Sequence, residues 1–218
     1  MQKLFIDFEP NGQITLNEEQ SRHIAKALRM KKGDMLTLTN GDGNDYGCQI
    51  NGISGGLVTL SVCYKQANNS EPSVKVTLYQ GVPKASKLED VIQKCTELGI
   101  AAICPTLTHR SVSRPDEKQA KKKGERYKKI ALEAAQQSGR GIVPEIMDMT
   151  ELKKAVENDE SELKILFYEG GGESLKSIIP QDIKSVSVYI GPEGGFEESE
   201  VELIKSAGGK IASLGPRI

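Results

Sequence analysis

The stretch from 185 to 196, SVSVYIGPEGGF, constrains this chain more than any other. An apolar, β-branched run stops at Gly191-Pro192-Glu193-Gly194-Gly195, and a helix-like segment follows from Glu197. Glycine permits backbone geometries that a side chain forbids, and proline fixes φ, so the break takes a rigid and unusual path. A second break, Leu214-Gly215-Pro216-Arg217-Ile218, follows the next candidate strand. Ligands bind at the carboxyl ends of strands in open α/β sheets, so two such loops on neighbouring strands predict one pocket.

The pocket is not patterned for phosphate. The chain has no G-x-x-x-x-G-K-[ST], and residues 191–195 do not fit G-x-G-x-x-G. A phosphate cradle presents N–H groups and positive charge. Here Pro192 lacks an N–H and Glu193 is a carboxylate, which suits a ligand offering N–H or hydroxyl donors or a positive charge. The plainer alternative is a tight strand-to-helix turn with an exposed glutamate.

The chain changes pattern near residue 70. Before it, residues 4–8, 14–16, 35–40, 46–53 and 57–65 read as short strands, with Asn40-Gly41-Asp42-Gly43 and Ser54-Gly55-Gly56 as hairpin turns. One helix interrupts them. Asn17 caps it, Gln20 completes a capping-box variant, and Ile24, Ala27 and Leu28 form its apolar stripe. Residues 67–73 read as a linker. Beyond them strands at 74–80, 100–104, 142–146, 163–168, 186–190 and 210–214 alternate with helices at 84–98, 117–137, 151–156 and 197–207. That alternation predicts a parallel sheet covered on both faces, hence an α/β fold.

Charge is unevenly spread. Residues 84–140 carry 13 Lys/Arg against 7 Asp/Glu, and residues 141–218 carry 8 against 15. A basic block inside a near-neutral protein suggests a surface facing a polyanion, with a solvated helix face as the alternative. Cys48, Cys63, Cys95 and Cys104 form no C-x-x-C pair, and His23 and His109 are the only histidines. Zinc is not expected, and all four cysteines read as core or half-buried residues of a cytoplasmic protein. No apolar run reaches membrane-spanning length, and Asp7 and Glu9 argue against a signal peptide.

Several segments together resemble the bacterial ribosomal RNA small subunit methyltransferase E family, in the SPOUT class of S-adenosylmethionine-dependent RNA methyltransferases. They are Arg22-His23-Ile24 with Leu28-Arg29-Met30-Lys31-Lys32-Gly33-Asp34, Lys87-Leu88-Glu89 with Ile92-Gln93-Lys94-Cys95-Thr96-Glu97-Leu98-Gly99, Arg126-Tyr127-Lys128-Lys129-Ile130, Glu133-Ala134-Ala135-Gln136-Gln137-Ser138-Gly139-Arg140, and the two Gly/Pro loops. The resemblance implies a PUA-like N-terminal β-barrel over residues 1–70 that binds RNA. Over residues 74–218 it implies a SPOUT-type parallel sheet with a trefoil knot. It also implies methylation of N3 of a uridine in 16S ribosomal RNA, alone or in the assembled small subunit, by a homodimer. A non-catalytic RNA-binding or ribosome-assembly protein on the same fold, and a methyltransferase acting on another RNA, are the alternatives. A dinucleotide-dependent oxidoreductase is disfavoured by the missing G-x-G-x-x-G.

On this resemblance three strand-end loops hold S-adenosylmethionine: Leu166, Tyr168, Glu169 and Gly170; Gly191, Pro192, Glu193, Gly194 and Gly195; and Leu214, Gly215, Pro216 and Ile218. Arg140 is the first candidate for a cation acting on the uracil carbonyls, with pairing to a phosphate or carboxylate as the alternative, and Arg217 is the second, with bracing of its own loop as the alternative; no general base is named. Two surfaces would meet RNA phosphates, Arg22, Lys26, Arg29 and Lys32 on the first domain, and Lys84, Lys87, Arg110, Arg114 and the lysines that follow on the second. His109 would contact phosphate beside Arg110 and Arg114. The family continues past the position of Ile218 with another arginine and a knot-completing helix. The resemblance therefore implies either a further segment or a chain whose cofactor site is half built.

Overall fold

Leu36 and Leu38, Cys48 and Ile50, and Val58 and Leu60 recur at every second position, the spacing that turns side chains to one face of a strand. All six are buried in one cluster. The computed structural model describes residues 2–213 and Gly215. It resolves into two compact units, one formed by the chain up to Glu71 with Ala135–Val143, the other by Pro72–Ala134 with the chain from Pro144 onward. Residues 135–143 thus pack with the first unit, whereas a division between residues 70 and 74 would leave them in the second.

In the first unit β1 (Lys3–Phe5), β2 (Gln13–Thr15), β3 (Met35–Thr39), β4 (Asn44–Ser54) and β5 (Leu57–Ala67) form a mixed sheet in the order β1-β3-β4-β5-β2. β1 runs parallel to β3, and the other pairings are antiparallel. Helix α1 (Glu18–Arg22) starts with the expected capping box: the Asn17 side chain accepts the Gln20 N–H at 2.9 Å, and the Gln20 side chain accepts the Asn17 N–H at 3.3 Å. The helix widens into a π turn at His23–Ala27, where the Leu28 N–H bonds to the His23 carbonyl, and fully buried Ile24 anchors it in the core. The chain leaves this turn through Arg29 at φ 54°, a left-handed conformation that costs a non-glycine residue about 1 kcal/mol or more.

The second unit contains β6 (Lys75–Gly81), α2 (Lys87–Glu97), β7 (Ala102–Leu107), most of α3 (Glu117–Ser138), β8 (Glu145–Ile146), β9 (Thr150–Glu151) and α4 (Leu152–Glu157). After these come β10 (Leu163–Phe167), β11 (Glu173–Ser174), α5 (Leu175–Ile178), β12 (Ser185–Ile190), α6 (Glu198–Ser206) and β13 (Lys210–Ser213). The sheet order is β11-β13-β10-β12-β6-β7-β8, with β9 also on β7, and every one of these pairings is parallel. Tyr79, Cys104, Leu166 and Tyr189 pack beneath α4 and α6. Leu163, Ile165, Val186 and Ala212 pack with Ile178 of α5. Adjacent residues of β10 fall in different clusters, as the two-residue period requires.

The differences from expectation are local and have causes. The strand expected at 142–146 begins at Glu145, because the N–H groups of Gly141 and Ile142 are taken by the Glu71 carboxylate. Helix α2 starts at Lys87 rather than 84, since Ala85 adopts φ 55°. Cys63 is exposed on β5, against its expected core or half-buried place, because it sits at a bulge opposite β4. The expected knot depends on the chain's last residues and lies outside the described ones. Among the described residues no helix is long and apolar enough to cross a membrane, and no group of three or more His, Cys, Asp or Glu could hold a metal.

Candidate functional site

Strands β13, β10 and β12 are neighbours and run parallel, so their carboxyl ends open onto one edge of the sheet. A cleft of about 250 Å³ lies at that edge. Phe167, Tyr168 and Glu169 form one wall, Ile190 to Glu193 with Gly195 and Phe196 a second, and Ala212 and Ser213 a third. A larger depression, about 430 Å³, lies beside α3 in the same unit. The smaller cleft is the candidate active site, because three strand-end loops converge on it.

The Gly191–Gly195 loop is fixed by contacts from β6, α2 and the segment after β7. A Cβ on Gly191 would lie 2.9 Å from the Gly195 carbonyl carbon, and Gly195 sits at φ 69°, so both positions require glycine. Gly81, at the end of β6, touches the loop from beneath: a Cβ there would meet Pro192 Cδ at 2.5 Å. The Gln80 side chain donates to the Gly191 carbonyl at 3.2 Å, and Arg110 Nη1 donates to the Gly194 carbonyl at 2.6 Å. The following helix is also held: His109 Nδ1 lies 2.7 Å from Glu197 Oε1, and the His109 N–H donates to Glu200 at 2.8 Å.

Glu193 does not offer its charge outward as the sequence suggested. Its carboxylate accepts the Lys84 N–H at 3.2 Å and lies 3.0 Å from Lys87 Nζ. Its own N–H, the Lys87 ammonium and the Lys84 N–H hold its carboxyl below the usual range. Glu169, by contrast, has no hydrogen-bond or ion-pair partner among the described residues. Its Oε2 lies 3.1 Å from where a Gly195 Cβ would stand. The acceptor left for a ligand's positive charge or hydroxyls is therefore Glu169.

Of the candidate cofactor residues, Tyr168, Glu169, Gly191, Pro192, Glu193 and Gly195 line the cleft. Leu166 does not: it is fully buried among the core residues beneath α4 and α6. Gly170 and Gly194 are also absent from the lining, the former closed over by the Tyr168 ring. Gly215 is described at φ 100°, its N–H on Ser213 Oγ at 3.0 Å, while Leu214, Pro216, Arg217 and Ile218 lie outside the described residues. Sequence reasoning missed Phe167, Ile190, Phe196, Ala212 and Ser213. Phe167, Ile190 and Ser213 close β10, β12 and β13, with Ala212 next to last, and the signal was the apolar or small residue just before each break.

Arg140, the first catalytic candidate, is a strut of the first unit. Its side chain is 4% exposed and its Nη2 lies 2.6 Å from Glu71 Oε2, with Nε 3.3 Å from Oε1. The same carboxylate takes the Gly141 and Ile142 N–H groups. In this arrangement the guanidinium has no face open to a substrate. Burial raises the Glu71 pKa, but the hydrogen bond and charge of Arg140, with the two N–H groups, bring it below its ordinary value.

The basic candidates divide. Arg22, Lys26, Arg29 and Lys32 are all exposed around the π turn. Lys87, Arg110 and Arg114 are instead engaged locally, Arg114 with the Thr108 carbonyl at 2.8 Å and Glu151 at 3.3 Å. Lys84 stays exposed while its N–H holds Glu193. His109 is committed to Glu197 rather than left open for phosphate.

Residues 69–218 match the RNA methyltransferase domain family and residues 16–63 the RNA methyltransferase PUA domain family. A Bacillus subtilis protein named ribosomal RNA small subunit methyltransferase E is 35% identical, over 100% of this chain and 90% of its own length. A Synechocystis protein of the same name is 30% identical, over 94% of this chain and 67% of its own. Among solved structures, a Legionella pneumophila protein described as a methyltransferase, in complex with the bound cofactor SAM, superposes with a TM-score of 0.89. It is 30% identical, covering 99% of this chain and 90% of that one.

Proposed function

This chain belongs to the ribosomal RNA small subunit methyltransferase E family of RNA methyltransferases, and we propose that it transfers a methyl group from S-adenosylmethionine to RNA of the small ribosomal subunit. The finer reading is methylation of N3 of a uridine in 16S ribosomal RNA by a homodimer, as the sequence resemblance implies. The observation that carries the proposal is the cleft at the ends of β10, β12 and β13, whose loop walls carry carboxylates and glycines but no phosphate cradle.

The residues present fit this cofactor. S-adenosylmethionine has no phosphate, and no Lys or Arg lines the cleft among the described residues. Phe167, Ile190 and Phe196 offer apolar surface for a purine, and the glycines leave backbone N–H and carbonyl groups within reach of its edge. Glu169 takes positive charge or ribose hydroxyls, since Glu193 is already neutralised by Lys87. The cofactor, when bound, supplies a sulfonium-activated methyl, so the protein's main task is alignment of the acceptor atom. A uridine N3 becomes nucleophilic only on losing its proton. A cation near the uracil carbonyls favours that loss, and we assign it to Arg217, since Arg140 is spent on Glu71.

Calorimetry with S-adenosylmethionine, S-adenosylhomocysteine and NAD tests the cofactor, and binding of NAD alone would overturn the proposal. Mapping base methylation on small-subunit RNA from a deletion strain, with and without the restored gene, tests the target. A uridine N3 methyl that persists without the gene removes the finer reading.

A further inference from the structure

The depression beside α3 belongs to no function assigned so far. It lies between one face of α3 and the edge of the sheet, where β8 and β9 pair with β7 at residues 102–103 and 106–107. Between those pairings residues 147–149 leave the ladder, opposite Cys104 and Pro105, and Pro105 has no N–H to offer a partner. Met147, Met149, Pro105 and Tyr127 give an apolar floor. Glu117, Lys121, Glu125, Lys128 and Asp148 stand around it.

Two independent features of α3 point to a ligand there. The first is charge. Lys118, Lys121, Lys122, Lys123 and Lys128 form no ion pair among the described residues, whereas Arg126 is paired with Glu89 and Lys129 with Glu133. Of the seven basic residues in the 84–140 stretch that form no ion pair among the described residues, five therefore sit on α3, Lys84 and Lys94 being the others. Lys121 and Lys128 are two turns apart on the face of the depression, about 10 Å along the axis. The second is Gly124, midway between them. Glycine inside a helix is unfavourable, and here packing does not demand it, since a Cβ would meet nothing within 4 Å. What it does is keep the floor open between the two lysines.

Resting on the RNA methyltransferase reading, we infer that this groove binds a single-stranded segment of the RNA substrate, with one unstacked base over Gly124 and its flanking phosphates on Lys121, Lys128 and the neighbouring lysines. A thioether-rich, aromatic floor accepts the face of a base, whichever base it is. The carboxylates of Glu117, Glu125 and Asp148 suit the N–H donors on a base edge, and a base can reach them only out of a duplex. The lysines supply the salt-dependent share of affinity.

The test uses the full chain, a fluorescein-labelled short single-stranded RNA and anisotropy across a salt titration. Lys121→Gln with Lys128→Gln should lower the slope of log affinity against log salt by about 1.4, two single-strand phosphate contacts. Gly124→Leu, which fills the groove, should weaken binding roughly tenfold at fixed salt. Gly124→Ala should raise the Tm, and S-adenosylmethionine affinity should hold in all three. RNA affinity and slope unchanged in the lysine and leucine variants would overturn the groove while leaving the methyltransferase reading intact. Wild-type protein that binds no RNA would overturn both. If the lysine variants lost binding only to phosphatidylserine vesicles, the surface would be a membrane contact and the inference would fall.

Discussion

Arg140, itself buried, and half-buried Glu71 form an ion pair at 2.6 Å between residues that are 69 positions apart. The carboxylate also receives two backbone N–H groups, so the pair ties residues 140–142 into the first unit. Breaking such a pair by removing one partner leaves an uncompensated charge and costs about 3–5 kcal/mol. Glu71→Ala should therefore lower urea-unfolding stability by that order. Because the folded Glu71 pKa is depressed, its stabilisation is fully present above the ordinary carboxylate range and disappears as pH falls through the folded value. Wild-type stability should drop across that acid window, and the drop should be smaller in Glu71→Gln. If Arg140→Lys instead left stability intact and abolished methyl transfer, the strut assignment would be wrong.

The cofactor loop should respond to a residue outside the cleft. Gly81→Ala places a methyl 2.5 Å from Pro192 Cδ and 2.6 Å from its nitrogen, so the loop must shift. We expect S-adenosylmethionine affinity to fall roughly tenfold or more, because a displaced wall loses its hydrogen bonds to the ligand. Lys87→Ala should have a milder effect of the same sign by releasing Glu193. Calorimetry measures both, and wild-type affinity in Gly81→Ala would show that the loop tolerates movement.

Reversal of Arg22 and Arg29 to glutamate tests the first RNA surface. Each lost phosphate contact should reduce the salt slope by about 0.7 on single-stranded RNA, alongside a general loss of affinity. Anisotropy titrations at several salt concentrations give the slope. An unchanged slope would remove the π-turn surface from the binding account.

Arg217→Ala should lower the single-turnover rate of methyl transfer by about 100-fold or more, the scale of losing one stabilising donor at a site of developing charge. Cofactor affinity should change far less. Equal losses in rate and affinity would instead mark Arg217 as a brace of its loop.

The break at Gly191–Gly195, the switch to alternating strands and helices, the Asn17 capping box and one wall of the cleft were all legible in the residues themselves. Each is local: a capping box spans four residues, a strand alternates every two, and a Gly/Pro loop declares itself within five. The charged residues were not legible in the same way. Arg140 read equally as a cation facing substrate or as the partner of a phosphate or carboxylate, and Lys87, Arg110 and Arg114 read as cations facing RNA; each proved to hold an acceptor of its own chain.

The sequence by itself determined the kinds of element, their order, and the strand ends at which a ligand site could form. Tertiary structure alone decided which charges remain available. Glu193 is neutralised by Lys87 from 106 positions away, and the Gly194 carbonyl is capped by Arg110 from 84. Among the described residues Glu169 and the α3 lysines other than Lys129 form no ion pair. Partners so far apart in the chain meet only when β6, β7 and β12 lie side by side, and no local pattern encodes that proximity.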